Sequence, residues 1–171
     1  MQIFIEGEIM KKWLLTALCA FVAGNALAGE WYYTGRSVNG SHAYFYDRSS
    51  TSTENGVMQV WRLSVLSSKQ AKKEKADFYM ILDEMNCKKK MSRNVTFTVY
   101  LNGENVYTKK AEGKWEYVIP GTTGEESLVQ ICSRDKEFYA GDEPFDVAKQ
   151  VRKWLDEEVA KSTPQKNPAS F

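Results

Sequence analysis

The pattern of apolar and polar positions along the chain alternates at first and then changes period. Residues 30–34 (EWYYT) read as a short aromatic strand and 35–40 as a polar turn. His42–Asp47 (HAYFYD) is a second aromatic strand. Residues 48–56 are polar, rich in Ser and Thr, and end in the turn dipeptide Asn55-Gly56. Val57–Leu66 (VMQVWRLSVL) is the longest expected strand. By period two, Val57, Gln59, Trp61, Leu63 and Val65 share one side; Met58, Val60, Arg62, Ser64 and Leu66 share the other. Apolar residues on both sides predict a central strand. The segment 69–75 (KQAKKEK) is expected to be a charged loop. A strand at 77–85 runs into Asn86-Cys87. Another at 91–100 alternates Val95, Phe97 and Val99 with Thr96, Thr98 and Tyr100. Asn102-Gly103 predicts a tight turn back into 105–110. No crossover helix separates these strands, which predicts an antiparallel meander. A last strand, 115–119, stops at Pro120-Gly121.

Beyond that break the period is helical. Leu128, Val129, Ile131 and Cys132 fall on one face of a helix at 123–134. Thr122 or Thr123 caps it, and Glu125 and Glu126 in the first turn suit the helix dipole. Asp142-Glu143-Pro144 opens a second helix, with Val147, Val151, Trp154, Leu155 and Val159 at helical spacing up to Ala160. Its apolar stripe predicts packing on the sheet, with a homodimer contact as the rival. Acidic residues offset its basic ones, which speaks against membrane-surface binding. The fold class is therefore α+β: an antiparallel sheet of about six strands with C-terminal helices packed on it. Residues 163–171 read as a frayed tail.

The N-terminus follows other rules. Met10-Lys11-Lys12 is a positive start, 13–24 (WLLTALCAFVAG) an apolar run, and Ala26-Leu27-Ala28 a small-residue cleavage motif. That is the layout of a secretory signal peptide over residues 1–28, cut between Ala28 and Gly29. Residues 1–9 precede the charged start and look like an over-extended gene start. A buried core helix is the alternative reading of the apolar run, which is too short to span a bilayer. Cys19 follows Leu18 rather than a small residue, so lipidation is not expected. The expected organisation is a signal peptide at 1–28, a sheet domain with its first helix at 29–135, and an amphipathic helix with a tail at 136–171. The expected location is the periplasm, the cell surface or the medium.

Export changes the meaning of the cysteines. Cys87 and Cys132 are the two left in the mature chain, and an even pair in an oxidising compartment predicts a disulfide. It would tie the first helix to the sheet. A metal site would need more ligands than these thiols and one histidine supply. Composition narrows function further. The chain has 171 residues, 23 Lys+Arg and 22 Asp+Glu, a balance that excludes a strongly basic nucleic-acid binder. Aromatic residues at 13% favour strands.

The segments match a known family in order and spacing. Trp31-Tyr32 leads to Tyr44-Phe45-Tyr46-Asp47, and Val60-Trp61 follows the Ser/Thr-rich loop. A strand ends in Asn86-Cys87, and 115–122 (WEYVIPGT) leads into a helix carrying Ile131-Cys132. Across 29–134 the chain resembles the surface-adhesin protein E family of Gram-negative bacteria. The resemblance implies an antiparallel sheet with a C-terminal helix tied to it by a disulfide. It also implies a binding role, since the family takes its name from an adhesin for host matrix and serum proteins. That adhesin is lipid-anchored, whereas this chain lacks a proper lipobox and adds the helix at 144–160.

The chemistry points the same way. His42 is the single histidine and no nucleophile motif accompanies it, so a structural role is expected. No G-x-S-x-G, H-E-x-x-H, P-loop or dinucleotide fingerprint occurs. Asp83, Glu84 and Glu116 form no recognisable glycosidase pair. Asn94-Val95-Thr96 is a glycosylation sequon that means little in a bacterial protein. No catalytic, cofactor or metal residue is assigned. Three basic runs remain: Lys69, Lys72, Lys73 and Lys75; Lys88, Lys89, Lys90 and Arg93; and Lys109, Lys110 and Lys114. At one end of a sheet they would form a rim for a polyanion; otherwise they are solvated turns. Tyr32, Tyr44 and Tyr46 are either a protein-binding face or packed beneath a helix. The expected function is an exported, non-enzymatic binding protein for a host or envelope protein or a polyanion. A periplasmic structural or accessory protein is the alternative.

Overall fold

The computed structural model describes residues 29–134, 136 and 138–162. The expected signal peptide and the tail lie outside the described residues. Nine strands form one sheet: β1 (Trp31–Arg36), β2 (His42–Asp47), β3 (Ser52–Glu54), β4 (Val57–Leu66), β5 (Phe78–Asn86), β6 (Met91–Leu101), β7 (Glu104–Lys110), β8 (Glu116–Tyr117) and β9 (Tyr139–Gly141). Among the described residues three helices accompany them: α1 (Ser68–Glu74), α2 (Thr123–Ser133) and α3 (Pro144–Ser162). The spatial order is β7-β6-β5-β4-β2-β1-β9, with β3 paired to β4 and β8 to β6. Every pairing is antiparallel. β4 lies between β2 and β5, as its two apolar sides predicted.

The sheet has a helix on each face. Trp31, Phe45, Leu63, Val65 and Phe78 face α3 and bury Val147, Ala148 and Leu155. Successive strand residues point to opposite faces, so Tyr32, Tyr46, Met58, Val60 and Met85 face α2, against Leu128 and Ile131. Ser127 on α2 is hydrogen-bonded to Thr34 on β1 at 3.1 Å, both buried. Thr122 caps α2 by accepting from the Glu125 backbone N–H. The Cys87–Cys132 disulfide joins the end of β5 to α2.

Three elements depart from the sequence reading. The segment 69–75 is helical, not a loop. Ser67 caps α1 by accepting from the Gln70 backbone N–H, and Lys75 closes it in the left-handed region at φ 53°. Gln, Ala, Lys and Glu are good helix formers, but α1 buries no residue, so no apolar stripe marked it. The polar stretch after β2 contains β3, folded onto β4 by the Asn55-Gly56 turn, whose residues sit at φ 50° and 76° as a primed hairpin turn requires. β9 returns after α2 to pair with β1. These short strands carry the total above six.

Candidate functional site

The structure separates the basic runs. Antiparallel strands put alternate connections at opposite ends of a sheet. α1, carrying Lys72 and Lys73, connects β4 to β5 at one end; Lys88, Lys89 and Lys90 form the β5–β6 turn at the other. The first run is thus parted from the other two, since the register carries Lys109, Lys110 and the chain after them back toward the β5–β6 turn. Part of the second run is also engaged. Lys90 pairs with Glu125 at 3.2 Å. Arg93 donates to Glu84 at 2.7 Å from Nε and 2.6 Å from Nη2, with its guanidinium 5.0 Å from the Trp115 ring centre. Lys88 and Lys89 are exposed and make no ion pair among the described residues.

The tyrosines divide as well. Tyr46 is 0% exposed and, with Tyr32, sits under α2, so neither offers a binding surface. Tyr44 is half-buried, and burial raises its pKa against the opposing pull of Arg62. It stacks on His42 with ring centres 6.2 Å apart. His42 bonds to Ser41 Oγ through Nδ1 at 2.7 Å, and burial lowers its pKa while Glu74 opposes that shift. Ser41 is in turn tied to Asn39 and Ser37 in the β1–β2 turn. This cluster closes a turn and carries no carboxylate bonded to the imidazole. Among the described residues no three His, Cys, Asp or Glu converge to hold a metal.

The surface that the sequence reading missed lies on the α2 face, beyond α2. Register aligns Tyr44, Ser64, Tyr79, Val99 and Tyr107 in one row across β2, β4, β5, β6 and β7. The next row is Tyr46, Arg62, Ile81, Phe97 and Lys109. The Tyr79 and Phe97 rings pack 5.0 Å apart. Tyr79, Ile81, Phe97 and Val99 belong to neither buried cluster and remain half-buried; Tyr107 is 52% exposed. Burial, and then the hydrogen bond that Tyr79 donates from its hydroxyl to Glu74 of α1, push the phenol pKa well up and keep it neutral. At the edge, β7 is exposed throughout and has β6 as its one neighbour in the sheet. Beneath the rows, Asp83 is buried and bonded to Arg62 and, at 2.7 Å, to Asn94. Desolvation raises its pKa, and Arg62 and Asn94 oppose the rise.

An apolar, aromatic sheet face continuous with an open edge suits contact with another macromolecule. One signal for it was present in the sequence. β5 is apolar on both sides and β6 on one, yet two amphipathic helices cannot cover both faces of a sheet this wide.

The chain thus presents an antiparallel sheet with a helix on each face, one disulfide stapling α2 to it, and an aromatic flank beyond α2. The sequence model for surface-adhesin protein E matches residues 31–133, and the chain belongs to that family. Among solved structures it is similar to protein E from non-typeable Haemophilus influenzae. The two are 17% identical with a TM-score of 0.46, over 81% of this chain and 95% of that one. The comparison with curated proteins gave no match.

Proposed function

We propose that the protein is an exported, non-enzymatic adhesin-like module that binds a host or cell-envelope protein through the open flank of its sheet. The observation carrying this reading is the two-row face of Tyr44, Tyr79, Ile81, Phe97, Val99 and Tyr107 beside the free edge of β7. Family membership supports it. Aromatic residues supply large contact area at low entropy cost and dominate interface hot spots. A polyanion is the weaker partner, because Lys72 and Lys73 lie at the other end of the sheet from Lys88, Lys89 and Lys90, and Lys90 and Arg93 already hold carboxylates. Residues 1–28 act as a signal peptide removed before Gly29, so that the working protein lies outside the cytoplasm.

The test is capture of matrix, serum and envelope proteins on the immobilised mature chain. Each captured protein is then titrated against the double variant Tyr79→Ser/Phe97→Ser. Loss of about 2 kcal/mol of binding is expected for two hot-spot rings. Capture that survives this variant and disappears in Lys88→Glu/Lys89→Glu would transfer the reading to a polyanion. Recovery of the protein solely in the periplasm, with no captured partner, favours an accessory role there.

A further inference from the structure

On the opposite face, beside the first turn of α3, lies a cleft of about 470 Å³, within the size range of small-molecule sites. Trp61, Met80 and Tyr100 give it apolar walls, and Thr96, Thr98, Asn105 and Thr108 give it hydroxyl and amide groups. The polar wall is ordered. Asn105 Nδ2 donates to Thr108 Oγ1 at 2.9 Å, and Thr108 Oγ1 donates to Thr98 Oγ1 at 3.3 Å. Trp31 and Asp47 complete the lining.

Two groups there have unused hydrogen-bonding capacity. Trp31 is 2% exposed, and its Nε1–H is a buried donor without an acceptor. Such a group costs free energy unless something accepts from it. Asp47 is nearly buried, and its Oδ1 accepts from the backbone N–H groups of Glu30 and Ser49 and from Ser49 Oγ. Its Oδ2 makes no hydrogen bond among the described residues. The two groups are neighbours at Gly29, where an added methyl would stand 2.9 Å from Trp31 Nε1 and 3.1 Å from Asp47 Cγ. Glycine at that position leaves room beside both.

We infer that this cleft binds a neutral, hydroxyl-rich ring: a pyranose unit of an uncharged glycan. A hydroxyl group both accepts and donates, so it matches the spare Asp47 Oδ2 and the Thr96, Thr98 and Asn105 side chains that line the cleft. The apolar C–H face of a pyranose matches the rings of Trp61 and Tyr100. No lysine or arginine lines the cleft, and the α-ammonium that cleavage leaves on Gly29 balances the Asp47 carboxylate beside it, so the site carries no net charge to favour an anionic sugar over a neutral one. This site lies on the other face from Tyr79 and Phe97, and it stands or falls apart from the protein-binding reading.

The experiment is calorimetric titration of the mature protein with maltohexaose, chitohexaose and desialylated complex N-glycans, with a heparin hexasaccharide as the charged control. Saturable binding of at least one neutral glycan is expected. Asn105→Ala and Thr98→Val should each weaken it about tenfold, and the Tyr79→Ser/Phe97→Ser protein should bind as tightly as the parent. Asn105 is exposed, so its variant folds even where a core change does not. Binding of the N-glycans alone points to host glycoproteins, and of chitohexaose alone to N-acetylglucosamine polymers. No saturation by any neutral glycan at millimolar concentration, binding of heparin alone, or unchanged affinity in both Asn105→Ala and Thr98→Val overturns the proposal.

Discussion

His42 connects a single side chain to the stability of the whole molecule. Burial holds its imidazole below the ordinary value of 6.5, with Glu74 pulling weakly the other way. The unfolded chain therefore takes up a proton before the folded one, so this group adds stability above the ordinary value that is lost as the pH falls through the folded one. The groups facing it are Ser41, Tyr44 and Glu74. The melting temperature should drop between pH 7.5 and 5.5, and less steeply in His42→Gln; parallel pH profiles for the two proteins would refute the assignment. Gly113 is a second sensitive position. A Cβ there would stand 2.5 Å from the Asn94 carbonyl oxygen on β6, a backbone atom that cannot swing aside. Gly113→Ala should cost about 1–3 kcal/mol in denaturant unfolding. In the sequence, the lack of an accompanying nucleophile motif predicts a structural role for His42; its seat beside Ser41 and Tyr44 at the β1–β2 turn comes from the structure. Gly113 was not legible in the sequence, since the close approach arises from the return of the chain onto β6.

Among the elements, α2 depends most on a single covalent link. Its buried face is small, consisting of Ser127, Leu128 and Ile131, and the disulfide fixes its last turn to β5. The cysteines are 45 residues apart. Closing a loop of that length is worth about 4 kcal/mol in the chain-entropy model. Cys87→Ala/Cys132→Ala, or reductant, should lower stability by that order in chemical denaturation. Unchanged unfolding would show that packing alone holds α2. α3 is fixed differently. Arg152 donates to the backbone oxygens of Leu66 and Asp77 and pairs with the Asp77 carboxylate at 2.8 Å. Arg152→Met should destabilise by about 1–3 kcal/mol, since it leaves acceptors at the β4–β5 end without their donor, and thermal unfolding measures it. The period change at residue 123 announced α2, whereas α1 gave no periodic signal because it packs no apolar stripe.

For the molecule as a whole, the two helices cover opposite faces of the sheet near β1, β2 and β4 and leave β5 to β7 open on the α2 side. That asymmetry gives the proposed protein-binding flank, and on the other face it leaves the cleft beside α3. Export predicts that mass spectrometry of the native protein finds Gly29 as the first residue; a chain retaining residues 10–28 would remove the cleavage reading. Although β3 and β9 escaped it, the sequence by itself determined the longer strands, the antiparallel connections, the two longer helices and the pairing of the cysteines. Each of these follows from local periodicity, turn chemistry or redox compartment. Only the tertiary structure decided that Lys72 and Lys73 part from Lys88, Lys89 and Lys90 to opposite ends of the sheet and that Tyr46 is covered while Tyr79 and Phe97 are not. It alone also brings Trp31, Asp47, Thr98 and Asn105 to one cleft. Those outcomes depend on strand order and on which helix lies over which strand. Both are set by packing between residues far apart in the chain, and a period of two residues does not encode them.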